Sequence, residues 1–156
     1  GGIIIGKTSQ DEFGFGAFSV NTKLNVPKNP FDRERSCGGS SGGAAGLSQK
    51  LENHIALGES TGGSIVTPSS FCGVYGLCPT YGRVSRNGLI DFGNSLDKIG
   101  PIGKSIGDVA LLMNIIAGGT EQFAEKEEDL KDVENALGET DAFIKDLLKR
   151  QKDRVI

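Results

Sequence analysis

The stretch from Gly38 to Pro68 opens with Gly-Gly-Ser-Ser-Gly-Gly at positions 38–43 and continues to Thr-Gly-Gly-Ser-Ile at positions 61–65. Because glycine tolerates positive φ and the close approach of other groups, each Gly-Gly-Ser turn can present a hydroxyl at a bend, beside free backbone N–H groups. An exposed serine nucleophile and backbone donors for an oxyanion are the parts that serine-dependent acyl transfer requires. The stretch therefore predicts a site for acyl-transfer chemistry.

Glycine–serine clusters are also typical of flexible linkers and of anion-binding nests. The segment between the two clusters argues against a linker. Residues 44–51 have the small and apolar side chains of a short helix, and Ile55–Gly58 has the pattern of a buried strand. Linkers do not carry that much packed structure, so the context favours a built site.

The composition limits the class of protein. With 156 residues, 37% of them hydrophobic, and a net charge of −3, the chain is long enough for one domain with a core. The charge and the absence of a long apolar run predict no direct DNA binding and no membrane association. Three cysteines without paired short spacing and a single histidine predict neither a disulfide framework nor a metal site. We expect reduced, buried thiols and a cytoplasmic location.

The N-terminal residues Gly1–Thr8 formally match a P-loop pattern. A P-loop needs a flexible loop between its glycines, whereas the β-branched run Ile3–Ile5 predicts a strand there, with Gly6-Lys7-Thr8 at its exit. The next segment, residues 9–35, is predicted to be a loop. Its aromatic residues are expected to anchor it to the core: Phe13, Phe15 and Phe18.

These motifs together resemble the amidase signature family. The resemblance covers residues 1 to 119 and rests on residues 38–46 and 61–68, on Phe71–Arg86, on Ser95–Pro101, and on Gly6–Thr8 with Asp11–Phe13. Within the family it is closest to the glutaminase subunits of the glutamyl-tRNA(Gln)/aspartyl-tRNA(Asn) amidotransferases, and Ser60–Gly63 resembles the archaeal type. The family implies an α/β fold with a mixed β-sheet covered by helices, which this chain would contain incompletely.

The resemblance also implies roles for residues of the two clusters. The family uses a Ser–cis-Ser–Lys relay, which assigns the nucleophile to Ser64 and the cis-serine bridge to Ser40. Ser41 is an alternative bridge. The backbone N–H groups that would hold the oxyanion belong to Thr61, Gly62, Gly63 and Ser64. Many relatives carry Asp at the position of Ser60 and Arg at the position of Val66, so a supporting ion pair is not expected here.

The lysine of the relay lies upstream of the Gly-Lys-Thr stretch in the family. This sequence begins within that region, so the resemblance implies a truncated chain that is inactive by itself. Lys7 corresponds to a different family feature, and Lys50 is expected on the solvent face of a helix. His54, the single histidine, is expected to be structural rather than catalytic.

For function, the resemblance implies a glutaminase that releases ammonia from glutamine for transamidation of misacylated Glu-tRNA(Gln) or Asp-tRNA(Asn). Partners would be the other amidotransferase subunits and, through them, tRNA. No cofactor is expected in this chain, since ATP and Mg²⁺ would bind to one of those partners. Residues that hold the glutamine substrate cannot be named. Alternatives are a stand-alone amidase acting on small amides, and a non-catalytic fragment without the lysine.

Two helices are predicted near the end of the chain. In the first, Lys104–Gly118, Ser105 and Asp108 have the spacing of a capping box. Residues 120–156 form a separate charged segment with 11 acidic and 7 basic residues. It is predicted to contain a helix from Asp141 to Arg154, either an amphipathic surface helix or part of a partly disordered tail, with partner binding as the alternative.

Overall fold

The computed structural model of the chain describes residues 2–118. Its strands form one antiparallel sheet in the order β1-β3-β2. In chain order, the elements after a 3₁₀ turn at Glu12–Gly14 are α1 (Gly42–Lys50), β1 (Ile55–Ser60), α2 (Val66–Phe71), β2 (Tyr75–Gly76), β3 (Lys98–Gly103) and α3 (Ile106–Ile116). The α/β prediction is confirmed, and every strand pairing within residues 2–118 is antiparallel.

Helix α1 and strand β1 lie where the sequence predicted a helix and a buried strand. The small residues of α1 allow the helix to approach its neighbours closely: a side chain at Gly43 would collide with the backbone of Ser9. The buried face of the helix includes Ser48, whose hydroxyl donates to the Ile102 carbonyl of β3 at 3.2 Å. Small residues thus seat α1 directly on the sheet.

Strand β3 is the centre of the sheet and corrects the prediction of a turn at Ser95–Pro101. The turn ends before Lys98, and the following residues pair with β1 over the full register from Lys98 opposite Ser60 to Gly103 opposite Ile55. Gly100 and Pro101 concealed this strand, because both residue types are depleted in sheets. Pro101 is tolerated beside the short strand β2, where its carbonyl accepts from Leu77 N at 3.0 Å.

The core is small and lies between the sheet and the first two helices. Cys37 and Cys72 are fully buried free thiols, as predicted, whereas Cys78 is half-buried. Helix α3 confirms the predicted capping box, since Ser105 and Asp108 exchange side-chain-to-backbone hydrogen bonds. The buried apolar cluster consists of Cys37, Ala44, Ala45, Ala56, Ile65, Cys72 and Ile102.

Two predictions for the N-terminal region are wrong. Ile3–Ile5 forms no strand, because no partner strand lies beside it among the described residues, and its side chains are 70–94% exposed. The phenylalanines do not anchor the following loop: Phe13, Phe15 and Phe18 are 54–69% exposed. The loop, which is otherwise irregular as predicted, is fixed instead by two fully buried polar residues, Asp11 and Ser19.

The predicted division at residue 119 and the predicted helix Asp141–Arg154 lie outside the described residues. Within residues 2–118, no helix has the length and apolarity needed to cross a bilayer. No group of three or more metal-ligating side chains comes together in this same part of the chain.

Candidate active site

The structure brings the two glycine–serine turns together. We call residues 38–43 the Ser40 turn and residues 61–65 the Ser64 turn. The backbone N–H of Ser41 donates to the carbonyl of Ser64 at 3.2 Å, which joins the turns directly. A cleft of about 380 Å³ opens beside them, lined by Gly14, Phe15, Gly16, Ala17, Gly39, Thr61, Gly62, Gly63, Ser64, Thr67 and Phe92.

The Ser64 turn connects the end of β1 to the start of α2, and its carbonyl groups are occupied. Gly62 O accepts from the Ser60 hydroxyl at 3.0 Å, and Gly63 O accepts from Thr67 N at 2.8 Å. By contrast, the backbone N–H groups of residues 61–64 and the half-buried Ser64 hydroxyl donate to no group within residues 2–118. Consecutive free N–H groups beside a free hydroxyl provide donors for an anionic oxygen next to a nucleophile.

Ser40 and Ser41 are adjacent, but their hydroxyl groups have opposite environments. The Ser41 hydroxyl exchanges hydrogen bonds with Glu59 of β1, donating to its carbonyl and accepting from its N–H, both at 3.1 Å. Ser40 is fully buried, and its Oγ has no hydrogen-bond partner within the described part of the chain. Its peptide bond with Gly39 is cis. The free hydroxyl makes Ser40, rather than Ser41, available to relay a proton.

The Ser40 turn is held by the loop that contains Asp11 and Ser19. The Ser19 hydroxyl donates to Gly38 O at 2.8 Å, lies 3.1 Å from Ser40 O, and accepts from Gly42 N at 2.9 Å. Asp11 N donates to Ser40 O at 3.1 Å. A side chain at Gly39 would collide with the Asp11 carboxylate, so only glycine permits this contact.

The Ser64 turn is held by a carboxylate from the loop before β3. Asp97, which is fully buried, lies with its Oδ1 2.6 Å from the Thr61 hydroxyl. The same carboxylate accepts from Phe92 N at 2.7 Å and from Gly93 N at 2.9 and 3.0 Å. It therefore connects the first residue of the Ser64 turn to Phe92, a wall of the cleft.

A second carboxylate, that of Glu59, contacts the same threonine, with Oε1 3.3 Å from Thr61 Oγ1. Burial, and then the negative charge of Asp97, raise the pKa of Glu59 above its ordinary value. Burial also acts to raise the pKa of Asp97, but hydrogen bonds from Thr61, Phe92 and Gly93 outweigh it, so the pKa of Asp97 is lowered. The two carboxyl groups thus prefer opposite protonation states.

Two aromatic side chains form one rim of the cleft. The rings of Phe15 and Phe92 lie with centroids 5.7 Å apart and planes inclined by 47°. Both side chains are at least half exposed, so the cleft has an apolar entrance above a floor of backbone donors. Phe15 was predicted to anchor its loop to the core and instead lines the cleft.

The lysines considered from the sequence lie elsewhere. Lys7 and Lys50 line a second cleft of about 450 Å³, together with Lys28 and Arg33, and Ser64 does not border it. Within residues 2–118, no lysine lines the cleft that contains Ser64. The half-buried His54 is also absent from both clefts, in agreement with the expectation that it is not catalytic.

Four side chains that support the turns were not identified from the sequence: Asp11, Ser19, Glu59 and Asp97. They follow no helix or strand periodicity, and their partners lie outside the two-residue range of local Asx turns. A weak signal exists, since Asp11 and Asp97 occur in two of the motifs quoted for the family resemblance. Neither motif indicated which atoms these carboxylates would bind.

Comparisons with known proteins agree with this geometry. The Amidase family matches residues 1–146. The chain is 59% identical over 116 residues to a subunit of the glutamyl-tRNA(Gln) amidotransferase of Thermodesulfovibrio yellowstonii, a match that covers 74% of this chain and 24% of that protein. It is 47% identical over 137 residues to the protein of the same name from Clostridium botulinum, with 87% and 28% covered.

The crystal structure of the protein of that name from Thermotoga maritima superimposes with a TM-score of 0.71 at 46% identity, over 78% of this chain and 27% of that one. The chain therefore spans about a quarter of the length of the proteins that it matches. None of these comparisons tests the archaeal-type interpretation of Ser60–Gly63, which stays a prediction. A match over residues 1–146, together with this superposition, shows that the chain belongs to the Amidase family.

Proposed function

We propose that this chain is the central segment of a glutaminase of the Amidase family, with Ser64 as the nucleophile and Ser40 as the bridging serine. The observation that carries the proposal is the pairing of a free Ser64 hydroxyl with four free backbone N–H groups, next to a buried Ser40 hydroxyl without a partner. A buried hydroxyl without a hydrogen bond is unfavourable by about 1–3 kcal/mol unless a partner completes it. A proton relay supplies such a partner on each side.

The proposed reaction follows serine acyl transfer. Ser40 accepts the proton of Ser64 as it passes its own proton to a neutral lysine, and Ser64 Oγ forms a bond to the carbon of the glutamine side-chain amide. The N–H groups of residues 61–64 bind the oxyanion; each such donor is worth about 2.7–4 kcal/mol. Ammonia leaves with a proton returned through the relay, and water then hydrolyses the glutamyl ester.

The names of the relatives support a role in an amidotransferase with several subunits. We propose that the released ammonia passes to a partner subunit, where misacylated tRNA is activated with ATP and Mg²⁺, in the cytoplasm. Glutamine is the proposed substrate, and no cofactor is assigned to this chain. The apolar rim of Phe15 and Phe92 would lie over the methylene groups of a glutamine side chain in the cleft.

The base is proposed to be a lysine upstream of Gly1, since no lysine borders the Ser64 cleft within residues 2–118. This arrangement also favours a second candidate, a non-catalytic fragment that keeps the nucleophile and the bridge without the base. The two candidates differ in whether Ser64 is activated.

A fluorophosphonate probe distinguishes them, because it acylates only an activated serine. We expect intact mass and peptide mapping to find one label, on Ser64, formed slowly because no lysine lines the cleft. Ser64→Ala and Ser40→Ala should both abolish the label, whereas Ser95→Ala, a change of the same size at an exposed serine, should not.

Labelling of another serine would contradict the assignment of Ser64. A folded chain that takes no label supports the non-catalytic fragment. Ammonia release should then be compared between glutamine and a short aliphatic amide. Preference for the aliphatic amide would indicate the stand-alone amidase instead.

A further inference from the structure

Thr61 is contacted by two carboxylates but has only one proton to donate. Its Oγ1 lies 2.6 Å from Asp97 Oδ1 and 3.3 Å from Glu59 Oε1. A hydroxyl group has one hydrogen and two acceptor positions. If both carboxyl groups were ionised, only one could receive the hydrogen, and the other would face the lone pairs of Oγ1 in a buried place.

The distances and the other contacts of Asp97 decide which carboxylate receives the hydrogen. Asp97 has the shorter contact, and its two oxygens also accept the N–H groups of Phe92 and Gly93, which is possible only for acceptor atoms. Asp97 is therefore the ionised partner. Glu59 can complete its contact only by donating a proton of its own to Thr61 Oγ1.

We propose that Glu59 is protonated and donates to Thr61, which donates to ionised Asp97, and that this ordered chain positions the Ser64 turn for oxyanion binding. Thr61 and Phe92 both border the cleft, so the chain fixes one of the proposed oxyanion donors relative to the aromatic rim. Glu59 and Asp97 are positioning residues, since neither borders the cleft. The inference rests on the proposed function, because the turn that it orders is the proposed oxyanion site.

The surroundings agree with one shared proton. The pKa of Glu59 is raised by burial and by the charge of Asp97, and the pKa of Asp97 is lowered by its hydrogen bonds. The cations that face the pair are Lys98, next to Asp97 on β3, and Arg86 from the preceding loop. Glu12, in the 3₁₀ turn that covers Glu59, accepts from Lys23 N at 2.9 Å, outside the pair.

The first test locates the proton by a ¹³C-carboxyl NMR titration of the unmodified chain and of Thr61→Val. We expect Glu59 to titrate above its ordinary pKa of about 4.3. If Glu59 donates to Thr61, replacing that acceptor with Val lowers the pKa of Glu59. If Thr61 donates to ionised Glu59, the same replacement raises it, and this result would overturn the proposal.

The second test measures positioning by the rate of fluorophosphonate labelling of Ser64 as a function of pH. Asp97→Asn should slow labelling by about 10- to 100-fold, the range expected for a small misplacement of catalytic groups. Asp91→Asn removes an equal charge from an exposed residue of the same loop and should leave the rate unchanged. Glu59→Gln, whose amide can donate to Thr61 at any pH, should keep the rate and remove its decline at higher pH.

The two tests separate the inference from the proposed function. If Ser64 takes no label, the proposed activity fails in this chain, and the NMR titration still decides where the proton lies. If labelling occurs but Glu59→Gln slows it as much as Asp97→Asn does, an ionised Glu59 is required and the ordered chain is wrong.

Discussion

The Ser40 turn and the Ser64 turn each depend on a fully buried aspartate from a distant loop, but the two aspartates act differently. Asp11 accepts from the backbone of its own loop, at Ser19 N and Asn21 N, and reaches the Ser40 turn through the Ser19 hydroxyl and through its own N–H. Asp97 binds the Ser64 turn with its carboxylate, at the Thr61 hydroxyl.

This difference separates rigidity from chemistry. Around Ser40, all of the hydrogen bonds go to backbone groups, and the Ser40 hydroxyl is left free. Around Ser64, a side-chain network with two carboxyl groups contacts the turn, so its geometry depends on protonation. The first region is built as a fixed support for one hydroxyl, and the second as a support whose order depends on one proton.

The largest expected effect comes from Ser40→Ala, which tests whether the free hydroxyl has a chemical role. We expect labelling of Ser64 to fall by about 10²- to 10⁴-fold, the contribution typical of a proton-transfer group. The free energy of unfolding should change by about 0.5 kcal/mol or less, because no hydrogen bond is lost. Chemical denaturation followed by circular dichroism measures the second quantity, and a large loss of stability would show a structural role instead.

Next in size is Asp11→Ala, which tests the indirect support of the Ser40 turn. The change leaves Ser19 N and Asn21 N without their acceptor. Hydrogen bonds to a charged group contribute about 1.5–3 kcal/mol each, so we expect unfolding to become easier by about 3 kcal/mol. Urea titrations of this variant and of the exposed-site control Asp91→Ala provide the comparison; equal curves would contradict the role of Asp11.

A smaller effect is expected for Ser41→Ala, the neighbour of the free serine. Its hydroxyl makes two hydrogen bonds with Glu59 of β1, so its removal should lower stability by about 1–2 kcal/mol. Labelling of Ser64, normalised to the folded fraction, should stay close to that of the unmodified chain. The pair Ser40→Ala and Ser41→Ala thus exchanges the two outcomes, and loss of labelling in Ser41→Ala would make Ser41 the bridge.

The smallest effect concerns the acid limb of stability. The pKa of Asp97 lies below its ordinary value of 3.8, so ionised Asp97 stabilises the fold above that pH. This contribution is lost as the pH falls through the lowered pKa. Asp97→Asn should therefore flatten the dependence of unfolding free energy on pH below about 4, whereas Asp91→Asn should not. Parallel acid limbs in all three proteins would contradict the lowered pKa.

Much of this site could be predicted from residue types alone. The nucleophile and bridge candidates, helix α1 and strand β1 follow from Gly-rich turns and a periodic segment between them, because these patterns act over a few residues. Strand β3 was missed, since Gly100 and Pro101 disguise it and only its pairing with β1 makes it a strand. Ile3–Ile5 failed in the opposite sense: its β-branched residues favour a strand, but no partner lies beside it within residues 2–118.

The sequence by itself determined which hydroxyls and backbone donors are available, since a Gly-Gly-Ser turn has this property wherever it folds. Only the tertiary structure decided which serine is free. Ser40 and Ser41 have similar sequence neighbours, but β1 passes beside Ser41 and binds its hydroxyl, while Ser40 Oγ is left without a partner. The structure also decided that Asp97 and Glu59 share one threonine, because residues distant in sequence are brought together by the pairing of β1 with β3.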